Sequence, residues 1–264
     1  MQGKIEEKSD LQIIRAKDIN PVELLPQLLP LKDKVLKTCK YFFEGKYEGK
    51  DTPFRGFILL GPPGTGKTEI IKQVAHELDK KLARHGNIET FFLLVDGADI
   101  AAPKWGDAEK NLKKVFQKIY ELGYPEKNSN KKIILLFDDI ESLVLKRGAD
   151  IAKEWHYSIN SILFHELDDI DPSTVIMCAT SNKPELVDDA ILTRLYPVTV
   201  PPLPVEQLMM KVEEILKKTG VPDEKSKDIR EMIKEKLKSL NNPTIRDAQQ
   251  FTIVECIESE GVWK

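Results

Sequence analysis

The sequence predicts an α/β fold: a parallel sheet covered by helices on both faces, followed by a small all-helical domain. Three observations predict it. Short apolar runs alternate with segments whose apolar residues recur at helical spacing. The runs are continuously apolar, as strands buried on both faces must be. Beyond Pro201, Pro202 and Pro204, every segment reads as helix.

Residues 1–10 are polar, and an apolar stretch punctuated by prolines runs from Pro21 to Pro30. A helical pattern spans Leu31 to Phe43, and a polar loop from Lys46 to Pro53 leads into the first strand, Phe57-Ile58-Leu59-Leu60. Ile70, Ile71, Val74 and Leu78 then fall at helical spacing. Phe91 to Val95 is a second strand, and Leu112, Val115, Phe116, Ile119 and Tyr120 form one face of a helix. Ile133 to Phe137 is the third strand, followed by a helix carrying Ile159, Ile162, Leu163 and Leu167. Val175 to Cys178 is the fourth. In the last domain Val205, Leu208, Met209, Val212, Ile215 and Leu216 form one stripe, and Ile229, Met232, Ile233, Leu237 and Leu240 another. Asn242-Pro243 reads as an N-cap and first helical position. Ile245, Ala248, Phe251, Val254 and Ile257 line the final helix. The expected division is an N-terminal segment with one helix (1–55), an α/β domain (56–203) and a helical lid (204–264).

Composition excludes several classes. Forty Lys and Arg nearly balance forty-three Asp and Glu, so no basic excess points to nucleic acid or to anionic membranes. The longest apolar runs are too short to span a bilayer. Cys39, Cys178 and Cys256 are isolated and odd in number, which fits a reducing cytoplasm better than a disulfide framework. The four histidines do not pair at metal-ligand spacing.

Residues 61–68 read Gly-Pro-Pro-Gly-Thr-Gly-Lys-Thr, between the first strand and its helix. The string fits the phosphate-cradling pattern G-x-x-x-x-G-K-[ST], in the strand–loop–helix setting that pattern needs. Such a loop, from Gly61 through Gly64, Thr65 and Gly66, points backbone N–H groups at an anion at a helix N-terminus. Pro62 and Pro63 shape the loop, and Glu69 follows it. Lys67 would reach the β and γ phosphates of ATP, and Thr68 would offer its hydroxyl to Mg²⁺.

The third strand ends in Asp138-Asp139. A carboxylate at the C-terminal end of a parallel strand beside such a loop can hold Mg²⁺, which assigns Asp138. Asp139 could polarise an attacking water. The bland alternative is a solvated acidic turn. The fourth strand ends in Thr180-Ser181-Asn182. Asn182 would lie between the ends of the first and third strands, where an amide can orient water; read alone, Ser181-Asn182-Lys183-Pro184 is turn chemistry.

Together these segments resemble the AAA+ ATPases, in the AAA branch. The phosphate loop carries that likeness, as do Gly106-Asp107-Ala108-Glu109-Lys110-Asn111-Leu112, Leu136-Phe137-Asp138-Asp139-Ile140-Glu141 and Ser181-Asn182-Lys183-Pro184 through Ala190-Ile191-Leu192. Pro202-Leu203-Pro204 closes the similar region. The resemblance implies a P-loop NTPase sheet sandwiched by helices with a helical lid. It implies an Mg-dependent, cytoplasmic ATPase in a homo-oligomeric ring, usually a hexamer, acting on a protein substrate or adaptor. It further implies Asn182 as sensor of the γ-phosphate, Arg194 as an arginine finger toward a neighbour's ATP, Ile19 beside the adenine and Arg246 as a second phosphate sensor. The alternative is a nucleotide-switched assembly or scaffold protein with slow hydrolysis.

Four departures from the family pattern matter. Asp139 stands where Glu is usual, shortening the carboxylate arm by one methylene. Thr193 replaces a second finger arginine. Lys104-Trp105 occupies the place of the pore-loop aromatic, where Trp105 could grip a threaded polypeptide. The lid is expected to be a helix short. Asn182-Lys183-Pro184-Glu185 mimics a guanine-reading N-K-x-D, but no D-x-x-G follows the third strand.

Overall fold

The computed structural model describes residues 11–47, 51–85, 88–100, 107–124, 130–144 and 154–260. Strands β1 (Gln12–Arg15), β2 (Gly56–Leu60), β3 (Glu89–Asp96), β4 (Lys131–Asp138), β5 (Val175–Ser181) and β6 (Leu195–Thr199) form one sheet in the order β1-β3-β4-β5-β2-β6. β1 runs antiparallel to β3; the other pairings are parallel. Helix α1 (Leu29–Phe43) precedes β2, and α2 (Lys67–Leu82) follows it. The short α3 (Gly97–Ile100) and α4 (Asp107–Gly123) follow β3; α5 (Glu154–Asp169) lies between β4 and β5, and α6 (Asp189–Arg194) leads into β6. The lid is α7 (Val205–Thr219), α8 (Asp223–Ser239) and α9 (Ile245–Glu260).

The apolar run of β4 explains the layering. Successive residues of a strand point to opposite faces. Ile134 and Leu136 therefore join the cluster under α1 and α2, while Ile133, Leu135 and Phe137 join the one under α4 and α5. All five are fully buried. Truncating Leu136 to alanine would cost about 2–5 kcal/mol of stability.

The lid is held by stripes four residues apart: Leu208, Val212 and Leu216 on α7, Ile229, Ile233 and Leu237 on α8, and Ala248, Thr252 and Cys256 on α9, all nearly inaccessible. This corrects the expected face of α9, because Val254 and Ile257 are about half exposed at 50% and 44%. The start of α9 is corrected too. Asn242 takes a left-handed conformation (φ 76°) rather than capping. The helix opens two residues later on a reciprocal box: the Asp247 N–H donates to Thr244 Oγ1 (3.1 Å), and the Thr244 N–H donates to Asp247 Oδ2 (2.8 Å).

Two strands escape sequence inspection. β1 is four residues long and mostly exposed, so it lacks an apolar pattern. β6 contains Pro197, tolerated because it is an edge strand. Between β1 and α1 the chain crosses α2 and reaches the lid. Gln73 Nε2 donates to Asn20 O (3.0 Å), Lys211 Nζ to Glu23 O (2.9 Å) and Gln27 Nε2 to Pro202 O (3.0 Å).

Candidate active site

Parallel register brings the candidate residues together. Leu60 pairs with Ser181 and Phe137 with Ala179, so the C-terminal ends of β2, β4 and β5 lie side by side. The loop after β2, the acidic pair after β4 and Asn182 after β5 thus converge, as expected of an open α/β sheet.

The loop turns on two left-handed glycines, Gly64 (φ 69°) and Gly66 (φ 92°), and α2 begins at Lys67. A Cβ at Gly64 would stand 2.6 Å from Thr244 Cβ, so the loop abuts the lid at van der Waals contact. The Ile245 N–H reaches Gly64 O at 3.3 Å across the same seam. Thr65 Oγ1 donates to Pro62 O (2.9 Å).

Lys67 is buried and donates to Gly61 O (2.9 Å), Pro62 O (2.8 Å) and Asn182 Oδ1 (2.6 Å). Burial pulls its ammonium below the usual lysine range, against the opposing pull of Asp139, Glu141 and Asp138. Thr68 Oγ1 donates to Asp138 (2.8 Å to Oδ1). That pair is an all-oxygen donor set, which suits Mg²⁺ and not zinc. No cluster of three His, Cys, Asp or Glu able to hold a metal occurs among the described residues, and Mg²⁺ needs none, since it keeps waters and phosphate oxygens.

Asp139 sits left-handed (φ 49°, ψ 53°), a conformation that Asp enters more readily than most residues. Burial, followed by the charges of Asp138 and Glu141, raises its carboxyl above the usual range, while Lys67 opposes the shift. Asn182 Nδ2 donates to Asp139 Oδ1 (2.6 Å). One amide thus bridges the loop lysine and the second carboxylate.

A cleft of about 500 Å³ lies over these groups, lined by Pro63, Gly64, Gly66–Glu69, Lys72, Asp138, Asp139, Thr180 and Asn182. The lid closes its far side with Ile245, Arg246 and Gln249. Its size suits a small ligand of nucleotide dimensions. Arg246 is therefore brought to the cleft. Ile19 is not: it is buried in the apolar cluster under α1 and α2.

Residues 57–203 match the family described as "ATPase family associated with various cellular activities (AAA)", more than half of the chain. The chain belongs to the AAA ATPase family. Among curated relatives, a "Proteasome-associated ATPase" of Catenulispora acidiphila is 34% identical over 149 residues, covering 55% of this chain and 24% of that protein. An "AAA ATPase forming ring-shaped complexes" of Corynebacterium efficiens is 33% identical over 141 residues, covering 53% and 26%. The match thus spans about a quarter of those relatives' length. Among solved structures, C. elegans PCH-2 superposes with a TM-score of 0.67 at 17% identity, covering 95% of this chain and 76% of that one. A chain of the E. coli MS115-1 HORMA:CdnC:Trip13 complex gives 0.66 at 17%, covering 92% and 95%. At that identity they share the fold. No described helix of this AAA ATPase is long and apolar enough to cross a membrane.

Arg194 ends α6, whose N-terminus is capped by Asp188. It does not line its own chain's cleft. Its guanidinium forms a two-pronged pair with Asp168 (Nε–Oδ1 and Nη2–Oδ2, both 2.8 Å), donates to Ala190 O (3.1 Å) and lies over the Phe164 ring. Each partner favours the other's charge: Arg194 is shifted up and Asp168 down, chiefly through that hydrogen-bonded pair. Lys104, Trp105 and Gly106 fall outside the described residues.

Sequence reading missed two polar residues. Thr180 is fully buried; its hydroxyl donates to Asp138 Oδ1 (2.5 Å) and accepts from the Asp139 N–H (3.0 Å). Glu141 Oε1 accepts from the Asn182 N–H (2.9 Å). Only strand register brings these partners together, so local sequence carries no signal of them.

Proposed function

We propose that this AAA ATPase binds Mg·ATP in the cleft over Gly61–Thr68, cleaves it with help from a neighbouring copy, and uses the cycle to remodel a protein partner within a ring, most simply a hexamer. The observation that carries the reading is the Asn182 bridge between Lys67 and Asp139, beside the Thr68–Asp138 pair. Lys67 turns to the β and γ phosphates. Thr68 and Asp138 would hold Mg²⁺, which when bound would spread the phosphate charge. Asp139 takes the proton of the attacking water, and Asn182 holds that water in line. ADP leaves with the bonding electron pair of the cleaved P–O bond. Arg246 and the lid cover the phosphates.

Arg194 does not line its own cleft, which supports its serving the nucleotide of another copy. That role requires it to leave Asp168. A relative named for ring-shaped complexes supports the ring, and another named for the proteasome supports a protein client. The division proposed is 1–55, 56–203 and 204–264, supported by the break at Pro201–Pro204. Three buried free cysteines suit the cytoplasm.

The test is ATP turnover with Mg²⁺, with and without EDTA, together with sizing. Lys67→Ala and Asp138→Ala should abolish turnover, and Arg194→Ala should lower it by about 10³-fold or more. Robust turnover in Arg194→Ala would sink the inter-subunit part. A second reading, ATP-switched assembly with slow hydrolysis, is favoured by the short arm of Asp139. It requires Asp139→Glu to raise turnover sharply, and an unchanged rate counts against it.

A further inference from the structure

We propose that Glu141 is a positioning residue for Asn182: from the turn after β4 its carboxylate fixes the backbone after β5, so that the Asn182 amide spans Asp139 and Lys67. The inference rests on the role proposed above for Asn182.

Glu141 stands on a rigid mount. It lies in the 3-10 turn Ile140–Ser142, directly after Asp139. Ile140, Leu143 and Val144 around it are fully buried. The turn is closed by the Ser142 N–H on Asp139 O (2.9 Å) and the Leu143 N–H on Ile140 O (3.0 Å). Asn182, by contrast, is the first residue past the end of β5, so the sheet ladder does not hold it. Its N–H is fastened to Glu141 Oε1 at 2.9 Å, across 41 residues of sequence. Its side chain then makes two short bonds, 2.6 Å to each of Asp139 and Lys67. Both bonds are short, and a shift of about 1 Å in the backbone N would carry one of them beyond the usual range of about 2.7–3.2 Å.

The other oxygen, Glu141 Oε2, is buried with no hydrogen-bond partner among the described residues. A buried acceptor left unpaired lowers stability, and a single N–H needs only one acceptor. A full carboxylate here is therefore poor economy for the fold alone. It makes sense as a fixed, stiff acceptor aimed at the Asn182 backbone. Glu141 itself does not line the cleft, so it acts through Asn182 and not on a ligand.

The experiment is steady-state ATP turnover of the full chain, titrated with Mg·ATP, for Glu141→Ala, Glu141→Gln, Asn182→Ala and the double variant Glu141→Ala/Asn182→Ala. Glu141→Ala should lower kcat about tenfold, the loss of roughly one positioning hydrogen bond, and leave KM within about twofold. Glu141→Gln keeps an acceptor oxygen and should recover to within about threefold of wild type. In the Asn182→Ala background, Glu141→Ala should add less than about twofold, since there is no amide left to place. Full kcat in Glu141→Ala, or losses that simply multiply in the double variant, overturns the proposal. Those results leave the nucleotide reading standing if Asn182→Ala alone is slow. Full turnover in Asn182→Ala removes the role beneath it, and the proposal with it.

Discussion

Replacing Gly64 with alanine should push the phosphate loop away from the lid. Two costs are readable in the geometry. The residue is left-handed at φ 69°, where a Cβ costs roughly 1–2 kcal/mol. The new methyl would also stand 2.6 Å from Thr244 Cβ and 2.8 Å from its Cγ2. Carbon pairs are comfortable near 3.5–4.0 Å, so about 1 Å of separation must open. Such overpacking costs about 1–3 kcal/mol. The neighbouring bond from the Ile245 N–H to Gly64 O, already 3.3 Å, would not survive the shift. The sum, about 2–5 kcal/mol, should lower the melting temperature by roughly 4–20 °C. Binding of a fluorescent ATP analogue should weaken at least tenfold, because about 1.4 kcal/mol of that cost falls on the cleft wall. Thr244→Gly in the same chain removes the opposing methyl and should recover the steric share. It must be judged against Thr244→Gly alone, which loses the Thr244–Asp247 cap. Wild-type melting and binding in Gly64→Ala would refute the reasoning. A double variant no better than the summed singles would refute the contact between loop and lid.

Other perturbations follow from the same contacts. Thr180→Val keeps the shape but strands the Asp139 N–H, so turnover should fall about 10- to 100-fold with the sizing profile unchanged from wild type. Asp168→Asn breaks a half-exposed ion pair, so melting should move by no more than about 3 °C; a larger drop would mean that the pair holds α6 in place. Glu214 is depressed to about 2 by its bonds to Lys218 and Lys211. Its folded value lies below its unfolded one, so its contribution is present above the usual carboxylate range and fades as pH falls toward 2. The side chain is 44% exposed, which keeps that contribution under about 1 kcal/mol. Glu214→Gln should therefore narrow the gap between melting temperatures at pH 5 and pH 3, and an unchanged gap would argue against it.

The phosphate loop, Asp138 and Asn182 were legible because each is a local string beside an apolar strand. The central strands were legible because burial on both faces leaves no polar position between Ile133 and Phe137. What periodicity could not settle was which of two apolar stripes on α9 faces inward. Packing against α7 and α8 chose Ala248, Thr252 and Cys256, leaving Ile253, Val254 and Ile257 outside. Asn242-Pro243 looked like a cap, but Thr244 and Asp247 supply a better one. Thr180 and Glu141 acquire their partners only through pairing across some forty residues, and Arg194 finds Asp168 through the packing of α6 on α5.

The segment before α1 has a mechanical consequence. Its near end is woven into the sheet at β1, the edge farthest from β6, and its far end is tied to the lid through Glu23 and Gln27. About ten residues of chain separate these anchors, and the slack is taken up against α2 at Asn20. A swing of α7 away from the sheet must therefore break the Lys211 and Gln27 ties or load the strap. A displacement imposed on the lid would have a covalent route to the opposite rim of the sheet, along a path that bypasses the cleft.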